Sequence, residues 1–233
     1  MHLITLSFDD GFVRSTLRTA EIFEQRGLSA CFNVVAAASL RIFPPGSGIS
    51  EDAPVGDFAL WNELQSRGHE IMPHGYQHAR LSQLPFEQAC DLVKRCLNVF
   101  TEHLSGFDAK AAVFNLPYNS STPQLDAWLA TMVRAFRVGG EPINAMPNPC
   151  MKRLTTAGFG PGNCEDHLDQ QVQYLLDRPD GWLIYTLHGL DDEGWGPIRA
   201  EYLERRLDQW LNIPTVHILP TGKALRDLPG PGP

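Results

Sequence analysis

The fold is decided by the first unit of the chain, residues 3–35, which read LITLSFDDGFVRSTLRTAEIFEQRGLSACFNVV. The apolar run at 3–8 predicts a strand, and apolar residues at helical spacing over 13–26 predict a helix that Gly27 ends. A second apolar run at 29–35 predicts another strand. Two strands joined through a helix form a βαβ unit, whose strands run parallel.

The same alternation continues along the rest of the chain. Further strands are expected at 70–72, 111–114, 133–138, 182–187 and 215–219, and helices at 57–67, 85–103, 123–131, 165–177 and 199–211. Roughly seven β/α units without a linker favour one α/β domain with a parallel sheet, either a slightly short (β/α) barrel or an open doubly wound sheet. We expect this domain to span residues 1–225, and the Pro- and Gly-rich residues 226–233 to form a flexible tail.

Composition limits the classes of partner. The 233 residues are 43% hydrophobic and 20% charged, which suits a domain with a sizeable core, and the net charge of −8 argues against nucleic acid or an anionic membrane as the main partner. Five cysteines without a CxxC pair indicate free thiols, and the start of the chain shows no signal peptide. We therefore expect a cytoplasmic protein, or an extracellular one if a leader has been removed. The oligomeric state is left open.

Polar side chains cluster where predicted strands end. In a parallel α/β fold the carboxyl ends of the strands meet at one rim, where active sites lie. Two histidines and one carboxylate are a usual ligand set for a hydrolytic metal, and a second carboxylate can serve as base. The residues at these strand ends are Asp9 and Asp10, His74 and His78, the stretch 115–118, and His188.

Each of these patterns also has a purely structural interpretation. Asp-Asp-Gly is often a turn or a helix N-cap, His-x3-His can arise by chance on a helical face, and His188 could simply bond to backbone. Taken together the structural interpretation weakens, because all three patterns fall at strand ends and supply complementary roles.

The motifs also resemble a known family. Residues 7–11 (SFDDG), residues 68–71 with 74–78 (GHEI and HGYQH) and residues 186–188 (TLH) resemble the signatures of NodB-type polysaccharide deacetylases, carbohydrate esterase family four. The resemblance spans residue 3 to about residue 220. It implies a distorted (β/α)7 barrel and one divalent metal ion, commonly zinc, with cobalt, nickel or manganese as alternatives.

The resemblance also implies a role for each motif residue. Asp10, His74 and His78 would be the metal ligands, Asp9 the general base and His188 the general acid.

The third motif departs from the family pattern. Its usual Arg-Pro-Pro-Tyr-like turn reads FNLPYN at 114–119, so Asn115 stands in place of the arginine and is expected to orient Asp9 or contact substrate. The backbone N–H of Tyr118 would still help to form an oxyanion hole. Trp195, in a glycine-rich loop after His188, is expected to stack on a sugar ring or to anchor its own loop.

These observations predict a metal-dependent hydrolase that removes acetyl groups from an N- or O-acetylated carbohydrate. The alternatives are a related amide hydrolase acting on a small non-sugar substrate, and a catalytically inactive carbohydrate-binding homologue, which the missing arginine suggests. The Pro- and Gly-containing loop at 40–56 is long enough to serve a function.

Overall fold

The structure of the protein is a computed structural model that describes residues 1–228. Within them lie nine strands and eight α-helices, most of which alternate along the chain. The strands are β1 (His2–Asp10), β2 (Cys31–Val34), β3 (Glu70–Pro73), β4 (Val113–Asn115), β5 (Ala135–Gly139), β6 (Ile143–Asn144), β7 (Arg153–Gly158), β8 (Gly181–Leu187) and β9 (Val216–Ile218). The helices are α1 (Val13–Glu24), α2 (Ala36–Ser39), α3 (Phe58–Ser66), α4 (Phe86–His103), α5 (Pro123–Met132), α6 (Cys164–Leu176), α7 (Ala200–Leu211) and α8 (Thr221–Asp227).

Seven strands form one continuous parallel path in the order β3-β2-β1-β8-β7-β5-β4. The long central strand β1 pairs with β8 along His2–Phe8 on one edge. On its other edge it pairs with β9 near its start and with β2 over Ser7–Asp10. The short β6 runs antiparallel to β8. The predicted distorted (β/α)7 barrel in a single domain is confirmed.

The two ends of the path, β3 and β4, lie side by side without a ladder of backbone hydrogen bonds. The Val113 N–H donates to Met72 Sδ at 3.4 Å, and the backbone oxygen of Asn115 lies 2.9 Å from Nδ1 of His74. Side chains therefore bring together the two edges that backbone pairing leaves apart, and the barrel is nearly closed.

Alternation along β1 explains how one buried strand serves two environments. Ile4, Leu6 and Phe8 pack into the large hydrophobic cluster formed with the surrounding helices. Thr5 and Ser7 face the opposite way, because side chains in a strand alternate between faces. Thr5 accepts from Trp182 Nε1 at 2.9 Å, and Ser7 accepts from Asn33 and from Arg137. The barrel interior is thus apolar near the start of the strands and polar towards their carboxyl ends.

Four elements were not anticipated from the sequence. The glycine- and proline-rich stretch 139–163 contains β6 and β7, the four-residue α2 follows β2, and α8 extends to Asp227. Helix α8 therefore takes up the first two residues of the segment expected to be a tail, and residues 229–233 lie outside the described part. No helix within residues 1–228 is long and apolar enough to cross a membrane.

Candidate active site

The carboxyl ends of β1, β3 and β8 and the turn after β4 open into one cavity of about 660 Å³. This volume lies within the range of small-molecule sites, roughly 300–1,000 Å³. All but one of the site residues predicted from the sequence line it, namely Asp9, Asp10, His74, His78, Tyr118, His188 and Trp195. The exception is Asn115.

Asp10, His74 and His78 form a compact group with the donor set of a metal centre. One ligand atom from each lies within 4.8 Å of the others. Oδ1 of Asp10 is 3.3 Å from Nε2 of His78 and 3.6 Å from Nε2 of His74. This Oδ1 is buried and accepts no hydrogen bond within residues 1–228. A buried acceptor without a partner is costly, and a divalent cation would satisfy it, so the residues fit a metal ion.

Electrostatics favour the protonation states that a cation needs from the histidines. Burial lowers the pKa of His74 to about 4, and burial together with His74 lowers the pKa of His78 to about 3. Both imidazoles are therefore neutral near pH 7 and keep a lone pair for coordination. Burial, followed by repulsion from Asp9, raises the pKa of Asp10 to about 7. A cation beside it would favour the carboxylate form.

The orientation of His74 is fixed from outside the cluster. Its Nδ1 lies 2.9 Å from the backbone oxygen of Asn115. A carbonyl oxygen can only accept, so Nδ1 carries the hydrogen and the lone pair of Nε2 points towards Asp10. Such a second contact is the usual way to fix the tautomer of a metal-binding histidine.

The backbone of the site adopts conformations that L-residues rarely use. Asp10, His78 and Tyr118 have positive φ angles of 74°, 51° and 58°. Left-handed conformations at non-glycine residues are held in place by surrounding contacts and gather at functional sites. The turns after β1, β3 and β4 therefore aim their side chains into the cavity at a conformational cost.

Asp9 is held by a residue that the sequence analysis did not single out. Arg137 on β5 donates from Nη1 to Oδ1 of Asp9 at 3.0 Å and from Nη2 to Oδ2 at 2.5 Å. The Arg137 side chain is wholly buried. Burial alone would raise the pKa of Asp9, but attraction to Arg137 and His74 holds it well below its usual range. Asp9 is therefore a carboxylate at any working pH.

Asn115 does not take the place of the absent motif arginine as expected. Its side chain is buried below the cavity, and its Nδ2 donates to Oδ1 of Asn33 at 2.7 Å. Asn33 in turn donates to Oδ1 of Asp9 at 2.7 Å. Asn115 thus reaches Asp9 only through another residue and does not line the cavity. The arginine comes instead from β5, because the barrel brings that strand opposite β1.

His188 and Trp195, in the loop that follows β8, form another part of the cavity wall. The His188 and Trp195 rings meet edge to face with centroids 5.1 Å apart, and Trp195 is 53% exposed. Burial lowers the pKa of His188, an effect that Asp9 opposes. The connecting loop is fixed on α1, where buried Glu193 accepts from the Ser15 N–H at 2.6 Å.

Tyr118 and the loop at 40–56 border the His78 side of the cavity. The Tyr118 ring is 45% exposed and lies 4.7 Å from the His78 ring. Gly48 packs so closely that an added Cβ would lie 2.4 Å from the backbone oxygen and 2.6 Å from Nδ1 of His78. The loop is anchored by buried Ile49 and Val55. It forms a packed wall of the site.

Comparisons with known proteins agree with this geometry. Residues 2–132 match the family model described as Polysaccharide deacetylase. A comparison with curated protein sequences gives no significant match.

Several solved structures share the fold across almost the whole chain. A family 4 acetyl xylan esterase from Clostridium thermocellum, solved with a cobalt ion, has 19% identity and a TM-score of 0.59, covering 97% of this chain and 93% of that one. The Xyl-CE4 domain of a xylanase from the hindgut metagenome of Trinervitermes trinervoides has 16% identity and a TM-score of 0.59, covering 97% and 90%. A CE4 family pseudoenzyme from Bacillus anthracis has 11% identity and a TM-score of 0.63, covering 98% and 66%.

Proposed function

Because this chain belongs to the polysaccharide deacetylase family, we propose that it is a metal-dependent hydrolase that removes acetyl groups from an N- or O-acetylated carbohydrate. One observation carries the proposal: Asp10, His74 and His78 converge on one point, and the ionised Asp9 lies beside it. Oδ2 of Asp9 is 3.6 Å from Nε2 of His74. A carboxylate next to a set of metal donors is the arrangement needed to activate water.

Asp10, His74 and His78 would hold the ion, with zinc as the first candidate and cobalt, nickel or manganese as alternatives. When bound, a divalent ion supplies Lewis acidity towards a water molecule and the acetyl carbonyl. Carboxylate and imidazole donors suit all four metals.

The remaining steps fall to side-chain and backbone groups of this protein. Asp9, kept ionised by Arg137, takes the proton of the attacking water as general base. The backbone N–H of Tyr118, in its turn at the cavity edge, stabilises the negative charge that develops on the carbonyl oxygen. His188 delivers a proton to the departing amine or alkoxide. The products are acetate and the deacetylated substrate.

The cavity also gives support to a second candidate, an amide hydrolase acting on a small non-sugar substrate. A volume of about 660 Å³ suits a small molecule as well as one or two sugar units. The inactive carbohydrate-binding alternative loses its main support, because Arg137 pairs with Asp9 where the motif arginine is absent.

Two variants test the assignment. Asp10→Ala removes a ligand and is expected to lose bound metal and activity together. Asp9→Asn is expected to keep the metal and lose most turnover, because only the base is removed. Metal content is measured by elemental analysis, and acetate release is followed on a panel of acetylated sugars and small amides with and without added zinc or cobalt.

The outcomes separate the candidates. Release from sugars alone supports the carbohydrate deacetylase, and release from small amides alone supports the second candidate. A wild-type protein that binds no divalent ion would contradict both, and full turnover by Asp9→Asn would remove that residue from the mechanism.

A further inference from the structure

An arginine with an exposed side chain lines the cavity. Arg80 follows the ligand His78 by two residues and lines the same cavity. Its guanidinium lies over the Tyr118 ring, 4.1 Å from the centroid, and that ring packs on His78. A cation over an aromatic face is attracted by the ring quadrupole. The stacking therefore keeps this exposed side chain beside the reaction centre.

Arg80 has no acidic partner within residues 1–228, in contrast to Arg137, which is paired with Asp9. The protein as a whole carries a net charge of −8, whereas this unpaired cation makes the charge at the cavity locally more positive. The local charges add to this effect. Arg137 neutralises Asp9, and a divalent ion carries more charge than Asp10 opposes. The loaded cavity would therefore be positive, which attracts an anionic ligand.

We propose that Arg80 binds an anionic substituent, a carboxylate or a phosphate, on the acetylated substrate. This inference rests on the proposed function and narrows it to an acidic acetylated sugar. The planar fork of a guanidinium binds either group through two parallel hydrogen bonds, and it can do so while its face rests on Tyr118.

Matched substrates test the inference by activity. N-acetylglucosamine 6-phosphate is compared with N-acetylglucosamine. An acetylated glucuronic acid is compared with glucose that carries its acetyl group at the same position. The wild-type protein is expected to prefer the acidic member of at least one pair. Arg80→Gln should lower kcat/KM for that member by about tenfold or more, mainly through KM, because a charged hydrogen bond is lost. Arg80→Lys should retain part of the preference, since it keeps the charge and loses the fork.

The control is Arg205→Gln, which makes the same charge change on the outer helix α7, where Arg205 lies near the Tyr202 ring. It is expected to keep the wild-type preference. Equal kcat/KM for both members of both pairs in the wild type, or the same loss in Arg80→Gln and Arg205→Gln, would overturn the inference. The pair that shows the preference identifies carboxylate or phosphate as the group bound.

A binding measurement separates this inference from the proposed function. Calorimetric titration of the zinc-loaded protein with glucosamine 6-phosphate, glucuronate and their neutral counterparts needs no turnover. Tighter binding of an acidic sugar that Arg80→Gln weakens and added salt reduces supports the inference even if no acetate is released. Binding that Arg80→Gln leaves unchanged contradicts the inference even if acetate release establishes the deacetylase.

Discussion

Arg137 on β5 and Asp9 on β1 form a buried, bidentate ion pair across the interior of the barrel. The two residues are 128 positions apart in sequence. Arg137 also donates to Ser7 Oγ at 2.7 Å, which fixes the guanidinium against β1. The pair sets both the charge and the direction of the proposed base.

Replacing Arg137 should therefore affect stability and turnover together. Arg137→Met leaves Asp9 as a buried carboxylate without its main partner, and we expect the free energy of unfolding to fall by about 3–5 kcal/mol. Turnover should fall by about 10–100-fold at saturating metal, as for other residues that orient a catalytic group. Arg137→Lys should lose less, because the charge remains. Urea unfolding and acetate release measure the two effects, and Arg137→Met with unchanged turnover would contradict the role.

Asp10 makes the metal-free protein sensitive to pH. Burial and Asp9 raise its pKa from the model-compound value of 3.8 to about 7. The folded state thus binds this proton more tightly than the unfolded state does. Protonation of Asp10 therefore contributes fully to the free energy of unfolding below about pH 4, and this contribution is lost as the pH rises through about 7. When a chelator keeps the protein free of metal, the stability of Asp10→Asn should not show this pH dependence. At about pH 8 the variant should be at least as stable as the wild type.

Added zinc should reverse that order. At about 100 times Kd, a ligand stabilises the folded state by about 2.7 kcal/mol, so the wild-type Tm should rise by several degrees, while Asp10→Asn should respond little. Calorimetry at two pH values with and without zinc provides the measurement. An equal zinc response in both proteins would show that Asp10 is not a ligand.

Glu193 should act on catalysis by holding the loop that carries His188. It accepts from the Ser15 N–H at 2.6 Å, and the Leu190 N–H donates to Ser15 Oγ at 2.9 Å. Glu193→Ala leaves a buried N–H without a partner, which costs about 1–3 kcal/mol of unfolding free energy, and it should lower kcat by loosening His188. Glu193→Gln should be much milder, because its amide oxygen can still accept.

The neighbouring Asp192 offers a matched control for Glu193. Its side chain is 77% exposed and pairs with Arg14 at the surface. Asp192→Ala should change neither kcat nor stability measurably, because exposed ion pairs contribute little. A loss in Asp192→Ala as large as that in Glu193→Ala would point to the charge of the loop and not to its anchoring.

A substitution at Gly48 tests whether the loop at 40–56 supports the proposed metal site. A Cβ at this position would come within 2.4 Å of a backbone oxygen of His78, so the loop or the ligand must move. We expect Gly48→Ala to weaken zinc binding, as changes around a ligand typically do by about 10–100-fold. Ser50→Ala in the exposed part of the same loop is the control and should bind zinc as the wild type does. If Gly48→Ala and the wild type bind zinc with equal affinity, the loop alone moves to accommodate the added Cβ and does not support the proposed metal site.

The part of the site carried by local motifs was predictable from the sequence. Asp9, Asp10, His74 and His78 lie directly after strands that apolar runs predict, and parallel topology places such strand ends at one rim. The element pattern likewise predicted a parallel α/β domain, and the family resemblance predicted its barrel form. The pattern missed β7, whose six residues follow a Gly- and Pro-rich stretch, and the short elements α2, β6 and α8. These have too few residues for periodicity to appear.

Arg137 could not be assigned in the same way, because its role depends on a contact between distant strands. The local sequence, Ala135 to Gly139, is an ordinary strand pattern, and nothing in it points to Asp9. A signal was present nevertheless. A charged residue within an apolar strand must find a partner if it is buried. The family motif points instead to Asn115, which occupies the position of the motif arginine, whereas the structure supplies the arginine from β5.

The contact between His74 and Asn115 gives one imidazole two duties. Its Nδ1 bonds to the Asn115 backbone across the seam between β3 and β4, which share no backbone ladder. Its Nε2 faces Asp10 and the position proposed for the ion. Metal binding and the contact across this seam therefore share one imidazole, and by thermodynamic linkage any effect of one on the other is reciprocal. A substitution that separates β3 from β4 is therefore expected to displace His74 and to weaken binding of the proposed ion.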